Sequence, residues 1–161
     1  MSPPDPTRLR TILIVDDLEA NRELLERSLA SAGYRTLSAD CGAGALALLT
    51  NNAIDLVLLD WMMPGLSGLD TLRAIRQSYS QDALPVIMCT AVGEDENIVE
   101  AMVSGANDYV VKPISLPVLR ARMATHLSRS ATIAALEHER DANVKRMSDQ
   151  MRRLMEMRTT D

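Results

Sequence analysis

The sequence predicts an α/β fold: a doubly wound sheet of five parallel strands, helices on both faces, and an elongated last helix. Three observations predict it. Short apolar runs alternate five times with longer segments of helical periodicity. The third run is apolar almost throughout, as a strand covered on both faces is. The final helical segment has no stop, since neither Gly nor Pro occurs after Pro117.

Residues 1–10 are polar and Pro-rich and read as a disordered lead-in. Thr11–Val15 is a β-branched apolar run, hence a first strand. Leu18–Ala32 reads as a helix with Leu18, Leu25, Leu29 and Ala32 on one side, Glu23 and Arg27 paired on the other, and Gly33 as its stop. Tyr34–Ala39 is a second strand and Ala43–Leu49 a second helix. Ile54–Leu59 is the third strand, Leu69–Arg76 the third helix, and Pro85–Cys89 the fourth strand. Glu94–Ser104 is a helix whose acidic first turn suits the positive end of the helix dipole, and Gly105 ends it. Asp108–Val111 is the fifth strand. The last helix starts near Ser115, a candidate N-cap, with Pro117 in its first turn. Leu116, Leu119, Met123 and Leu127 form the stripe that covers the sheet.

The chain has 161 residues, 47% apolar and 24% charged, with a net charge of −5, which suits one soluble domain with a sizeable core. Residues 1–128 carry a net −6 and residues 129–161 a net +1, so no basic face points to nucleic acid. No apolar run is long enough to cross a membrane, and the start lacks the apolar stretch of a signal peptide. Cys41 and Cys89 lack metal-ligand spacing and read as reduced packing residues of a cytoplasmic protein.

In an open parallel sheet the functional crevice lies beyond the carboxyl ends of the strands. Asp16 and Asp17 follow the first strand, Asp60 stands at the end of the third and Thr90 at the end of the fourth, and Lys112 comes directly after the fifth, with Pro113 after it. Taken singly, these are ordinary caps, turn residues and surface charges. Together they put three carboxylates, a hydroxyl and an ammonium at one sheet edge. Converging carboxylates repel unless they share a cation, and an oxygen-only set favours a hard ion such as Mg2+ over zinc. A carboxylate beside such an ion is a nucleophile toward phosphorus, and Thr90 and Lys112 offer what phosphoryl oxygens need as charge develops on them.

ILIVDD (12–17), DLVLLDWMMPGLSG (55–68), PVIMCTA (85–91) and GANDYVVKP (105–113) resemble the receiver domains of bacterial two-component response regulators, over roughly residues 10–128. The resemblance implies the flavodoxin-like strand order 2-1-3-4-5. It implies that Asp60 is phosphorylated by a histidine kinase or a histidine phosphotransfer protein. Asp17, Asp60 and the Met62 carbonyl would bind Mg2+ directly (Mn2+ able to substitute), and Asp16 through water. Thr90 and Lys112 would contact the phosphoryl group, and Ala91 would leave room for the donor. Tyr109 would rotate inward behind Thr90, and Lys112–Pro113 would be cis. The surface expected to change is that of the fourth helix, fifth strand and fifth helix, about 94–128. Met62 and Val92 border the site, and an apolar pair there would slow autodephosphorylation.

Residues 129–161 read as a helical or coiled-coil extension or linker beyond a receiver domain at 11–128. From Val144 the apolar steps are three, four and three, a heptad seam, and the eight-residue step from Leu136 around Arg140 reads as a stutter. A parallel homodimer through this helix, or through the switch surface, is expected, relaying the change to an output domain or partner. His126, His138 and the tail methionines read as packing or surface residues rather than metal ligands. Two other readings compete with a switch that is not itself an enzyme. One is a scaffold working by contacts without phosphorylation. The other is a Mg2+-dependent aspartyl-phosphate phosphatase, disfavoured because the lone Asp60 sits on the third strand rather than in a D-x-D after the first.

Overall fold

The computed structural model describes residues 5, 7–91 and 95–159. Half of the lead-in (residues 1–4 and 6), the fourth helix's expected first residue Glu94, and Val92 lie outside them. The elements are β1 (Thr11–Val15), α1 (Glu19–Ser31), β2 (Arg35–Ala39), α2 (Gly42–Asn51), β3 (Leu56–Asp60), α3 (Gly68–Ser78), β4 (Val86–Ala91), α4 (Asp95–Val103), β5 (Asp108–Lys112) and α5 (Leu116–Arg158). The strands form one parallel sheet in the order β2-β1-β3-β4-β5, the expected flavodoxin-like arrangement.

Side chains alternate between the two faces of each strand, so one sheet feeds two cores. Leu13, Val15, Val57, Leu59, Val86 and Met88 meet Ala45 and Leu49 of α2, Leu69, Leu72 and Ile75 of α3, and Ala101 of α4. Ile12, Ile14, Leu56, Leu58, Ile87 and Cys89 meet Leu25 and Leu29 of α1 and Leu119, Met123 and Leu127 of α5. Burying each such Leu, Ile or Val side chain contributes about 1.5–3 kcal/mol.

Several boundaries differ from the sequence reading. The α1 core face is Leu25, Ser28 and Leu29. Leu18, in extended conformation before the helix, and Ala32, after it, are exposed. Ser115 precedes α5 without a side-chain cap bond. β3 begins at Leu56, because Asp55 is used otherwise: its Oδ2 accepts from Thr11 N (2.8 Å) and its Oδ1 from Arg8 (2.6 Å). β3, β4 and β5 each run past the expected end, so Asp60, Thr90 and Lys112 lie inside the strands. Among the described residues, no helix is long and apolar enough to cross a membrane.

Candidate phosphoryl-acceptor site

Asp16 follows directly on β1, and its amide donates to Ala39 O (3.2 Å) at the end of β2. Its side chain then organises the turn into α1. Oδ1 accepts from Leu18 N (2.9 Å) and Oδ2 from Asn21 Nδ2 (3.2 Å), while Arg22 Nη1 donates to its carbonyl (2.7 Å). These bonds hold Asp16 at the sheet edge and leave Asp17 exposed.

Asp60 is the last residue of β3 and lies level with Cys89 of β4. Trp61 N donates to Cys89 O (3.0 Å), extending the ladder one residue, and Gly68 N donates to Trp61 O (3.1 Å), folding the following loop back. That return is tight: a Cβ on Gly68 would stand 2.1 Å from Asp60 O. Met62, on this loop, is exposed.

Lys112 ends β5, two strands from β3, and reaches across β4. Its Nζ lies 3.0 Å from Asp60 Oδ1 and 3.4 Å from Asp16 Oδ2. Oxygens of Asp16, Asp17 and Asp60 all lie within 4.8 Å of one another. Thr90 is buried on the intervening strand, and the exposed Ala91 lies level with Lys112. The Lys112–Pro113 peptide is cis.

Asp16 and Asp60 are only 4% and 5% exposed, so their charges are poorly solvated. Burial pushes the Asp60 carboxyl up, and the Asp16 charge adds to this. The Lys112 hydrogen bond and charge, with the Met62 amide, oppose the rise without cancelling it. At Lys112 burial disfavours the ammonium, but the hydrogen bond to Asp60 and the charges of Asp60 and Asp16 outweigh it and hold the pKa above its usual value. The two directions agree physically. The ammonium gains from facing several carboxylates, while Asp60 shares that single ammonium with Asp16 and is still short of positive charge.

Asp16, Asp17, Asp60 and Lys112 therefore converge, with Thr90 and Ala91 on the strand between. Tyr109 does not join them. It lies level with Met88, half-buried on the Leu13–Leu59 face, with the Arg122 guanidinium 5.7 Å from its ring centroid. Val92 is outside the described residues. Asn21 and Arg22, which fix Asp16, were missed in the sequence. Their only signal is a place on the first turn of α1, five and six residues after Asp16.

Residues 12–124 match the family model of the response regulator receiver domain. The chain is similar to the chemotaxis protein CheY of Pseudomonas aeruginosa, 41% identical over 113 residues, covering 70% of this chain and 91% of that protein. It is also similar to the phosphate regulon transcriptional regulatory protein PhoB of the same species, 40% identical over 121 residues, or 75% of this chain. The chain spans about half (53%) of that PhoB. Among solved structures, a putative response regulator from Chloroflexus aurantiacus superposes with a TM-score of 0.71 at 34% identity, over 75% of this chain and 99% of that one. With the fold, the strand order and these relatives in agreement, the chain belongs to the receiver-domain family of two-component response regulators.

Proposed function

We propose that this chain is a phosphorylation-activated switch whose Asp60 accepts a phosphoryl group from a phosphohistidine of a histidine kinase or histidine phosphotransfer protein. The observation that carries this reading is the meeting of three acid oxygens within 4.8 Å, with the Lys112 ammonium 3.0 Å from Asp60. An oxygen-only donor set with excess negative charge fits a hard divalent cation. Asp16, Asp17, Asp60 and the Met62 carbonyl are the groups to hold Mg2+, for which Mn2+ can stand in. When bound, the ion neutralises the cluster and draws charge from the phosphoryl oxygens.

Asp60 supplies the attacking oxygen. The new P–O bond forms as the P–N bond breaks, and that electron pair returns to the donor imidazole, which leaves neutral with its other nitrogen protonated. Before transfer Lys112 holds the Asp60 carboxylate in place. Afterwards it and the Thr90 hydroxyl take the phosphoryl oxygens. Ala91, without a long side chain, leaves the donor an open approach. An apolar groove lined by Leu24, Leu25, Pro113, Ile114 and Leu116 adjoins Lys112 and suits a donor helix. Movement of Thr90, followed by Tyr109, would carry the change to the α4-β5-α5 surface, where Val99, Met102, Val103, Val111 and Val118 are exposed.

Trp61, the only tryptophan, adjoins Asp60 and reports on the site. Its fluorescence should respond saturably to Mg2+ and change again with beryllofluoride, a phosphoryl stand-in, with the second change absent in Asp60→Ala. A folded wild type silent to both would leave a scaffold that works without phosphorylation. Steady turnover of a foreign phosphomonoester would make it a phosphatase.

A further inference from the structure

We propose that the projecting half of α5 pairs, parallel and in register, with the same segment of a second copy of this chain, and that Arg140 sets the register by reaching Glu139 of the second copy. α5 has 43 residues, about 64 Å at 1.5 Å per residue. Its first part belongs to the domain: Leu119, Met123 and Leu127 are buried, and Ser130 Oγ donates to Asp82 O (2.7 Å) as the helix leaves. From Ala134 to Arg158 every residue is exposed except the half-buried Ala142 and Asp149. Such a segment, about 37 Å long and lacking tertiary contacts, is marginal as a lone helix.

Most of its large apolar side chains lie on one stripe. Ile133, Leu136, Arg140, Val144, Met147, Met151 and Leu154 follow in steps of three, four, four, three, four and three. Two consecutive steps of four keep the stripe continuous past Arg140, as a stutter does. The stripe is a narrow seam, and its chemistry favours two strands. Ile133 and Val144 are β-branched at the first core position, while Leu136 and Leu154 hold the fourth. Beside the seam around Val144–Leu154 stand Ser148, Gln150, Met155 and Met157, none charged. Over that stretch no like charges flank a second copy.

Other occupants fit less well. The segment from Ala134 to Arg158 has six basic and five acidic side chains, so it offers little field for an anionic membrane or a strongly charged partner. It has no Trp, Tyr or Phe to seat among lipid headgroups.

Arg140 decides the direction. An antiparallel pairing over the same seam sets Arg140 against Met147, a buried charge without an acid. In a parallel pairing the two Arg140 side chains meet at one level, and Glu139 of the second copy, which precedes the core position there, stands beside each of them. Neither Arg140 nor Glu139 has an ion-pair partner among the described residues.

The test is sedimentation equilibrium of the full chain, with the receiver fold checked by circular dichroism. The wild type should run near twice 17.7 kDa. In a Cys41→Ser background, Val144→Cys should form an interchain disulfide under mild oxidation. Arg140→Glu should weaken the dimer about tenfold, two ion pairs being turned to repulsion. Adding Glu139→Arg should restore it. A monomer at the highest soluble concentration overturns the proposal, as does a monomer that co-sediments with phosphatidylserine vesicles. A dimer in which Val144→Cys fails to cross-link overturns the parallel register. Failure of the double variant to recover overturns the role of Arg140.

Discussion

The Lys112 ammonium lies 3.0 Å from Oδ1 of Asp60, reaching across β4 from the end of β5 to the end of β3. It also serves Asp16, at 3.4 Å, so one cation faces three clustered carboxylates. Burial, with the Asp16 charge, keeps the Asp60 carboxyl above its ordinary pKa despite Lys112. An acid with a raised folded pKa binds its proton more readily folded than unfolded. Its ionisation therefore costs stability at neutral pH, and the cost fades as pH falls through the folded value toward the unfolded one, about 3.9. Asp60→Asn should then melt a few degrees above the wild type in chelator at pH 7, a gain of about 1 kcal/mol. Millimolar Mg2+ should raise the wild-type midpoint and leave that of the variant nearly unmoved. A variant less stable than the wild type in chelator would show that Lys112 fully compensates the buried charge.

Gly68 opens α3 at a point where its missing side chain matters to Asp60. A Cβ there would stand 2.1 Å from the Asp60 carbonyl oxygen and 2.9 Å from Trp61 Cα, both backbone atoms that cannot swing away. Gly68→Ala must push the loop bearing Met62 off the end of β3. The expected cost is about 3 kcal/mol of stability, in the range of overpacked sites. Labelling of the surviving folded protein by a small-molecule phosphodonor should slow at least tenfold. Labelling at the wild-type rate would mean that the loop gives way without moving Asp60.

The strand order was legible only through the family resemblance, whereas the five residues at the sheet edge were legible because the apolar stretches of β1, β3, β4 and β5 each give way to a polar residue. Strand boundaries were less legible. The apolar pattern stops before the hydrogen-bond ladder does, so Asp60, Thr90 and Lys112 read as standing just at or past the strand ends although all three lie within the strands. Asp55 went the other way. Inside the apolar run IDLVLL it reads as strand, yet its carboxylate binds Arg8 and the Thr11 amide. Contacts between distant segments left no local trace. Lys112 and Asp16 are 96 residues apart, and only their common place at a sheet edge joins them. His126 read as a lone helix histidine because its partner Asp108 stands on a strand 18 residues earlier.

The two cysteines differ in reactivity for reasons of position. Cys89 is buried beside the site, and burial, aided by the Asp60 and Asp16 charges and opposed by Lys112, pushes its thiol up to about 12. Cys41 is half-buried at the start of α2, where its sulfur accepts from Gly44 N at 3.4 Å. A thiol reagent at pH 8 should modify one sulfur in the native protein and both in denaturant, with Cys41→Ser removing the native reaction. Cys41→Ser should keep the helix cap, whereas Cys41→Ala should cost about 0.5–1 kcal/mol. Two thiols reacting at equal rates in the folded protein would contradict the burial of Cys89.

Asp108 opens β5 at the edge of the sheet opposite the acid cluster and ties α5 down there. Its carboxylate accepts from Arg122 and the Tyr109 amide, and Oδ2 lies 2.9 Å from His126 Nε2. Burial alone would raise its pKa, but the bonds from His126 and Tyr109 and the Arg122 charge outweigh burial and hold it below the ordinary carboxylate range. An acid with a depressed folded pKa stabilises the fold above its unfolded value and loses that contribution as pH falls through the folded one. Asp108→Asn should therefore cost about 1–2 kcal/mol at pH 7. The gap to the wild type should close progressively below about pH 4. Urea melts at pH 7, 5 and 3.5 would measure it. A gap unchanged across that range would mean that Asp108 acts through the shape of its hydrogen bonds and not through its charge.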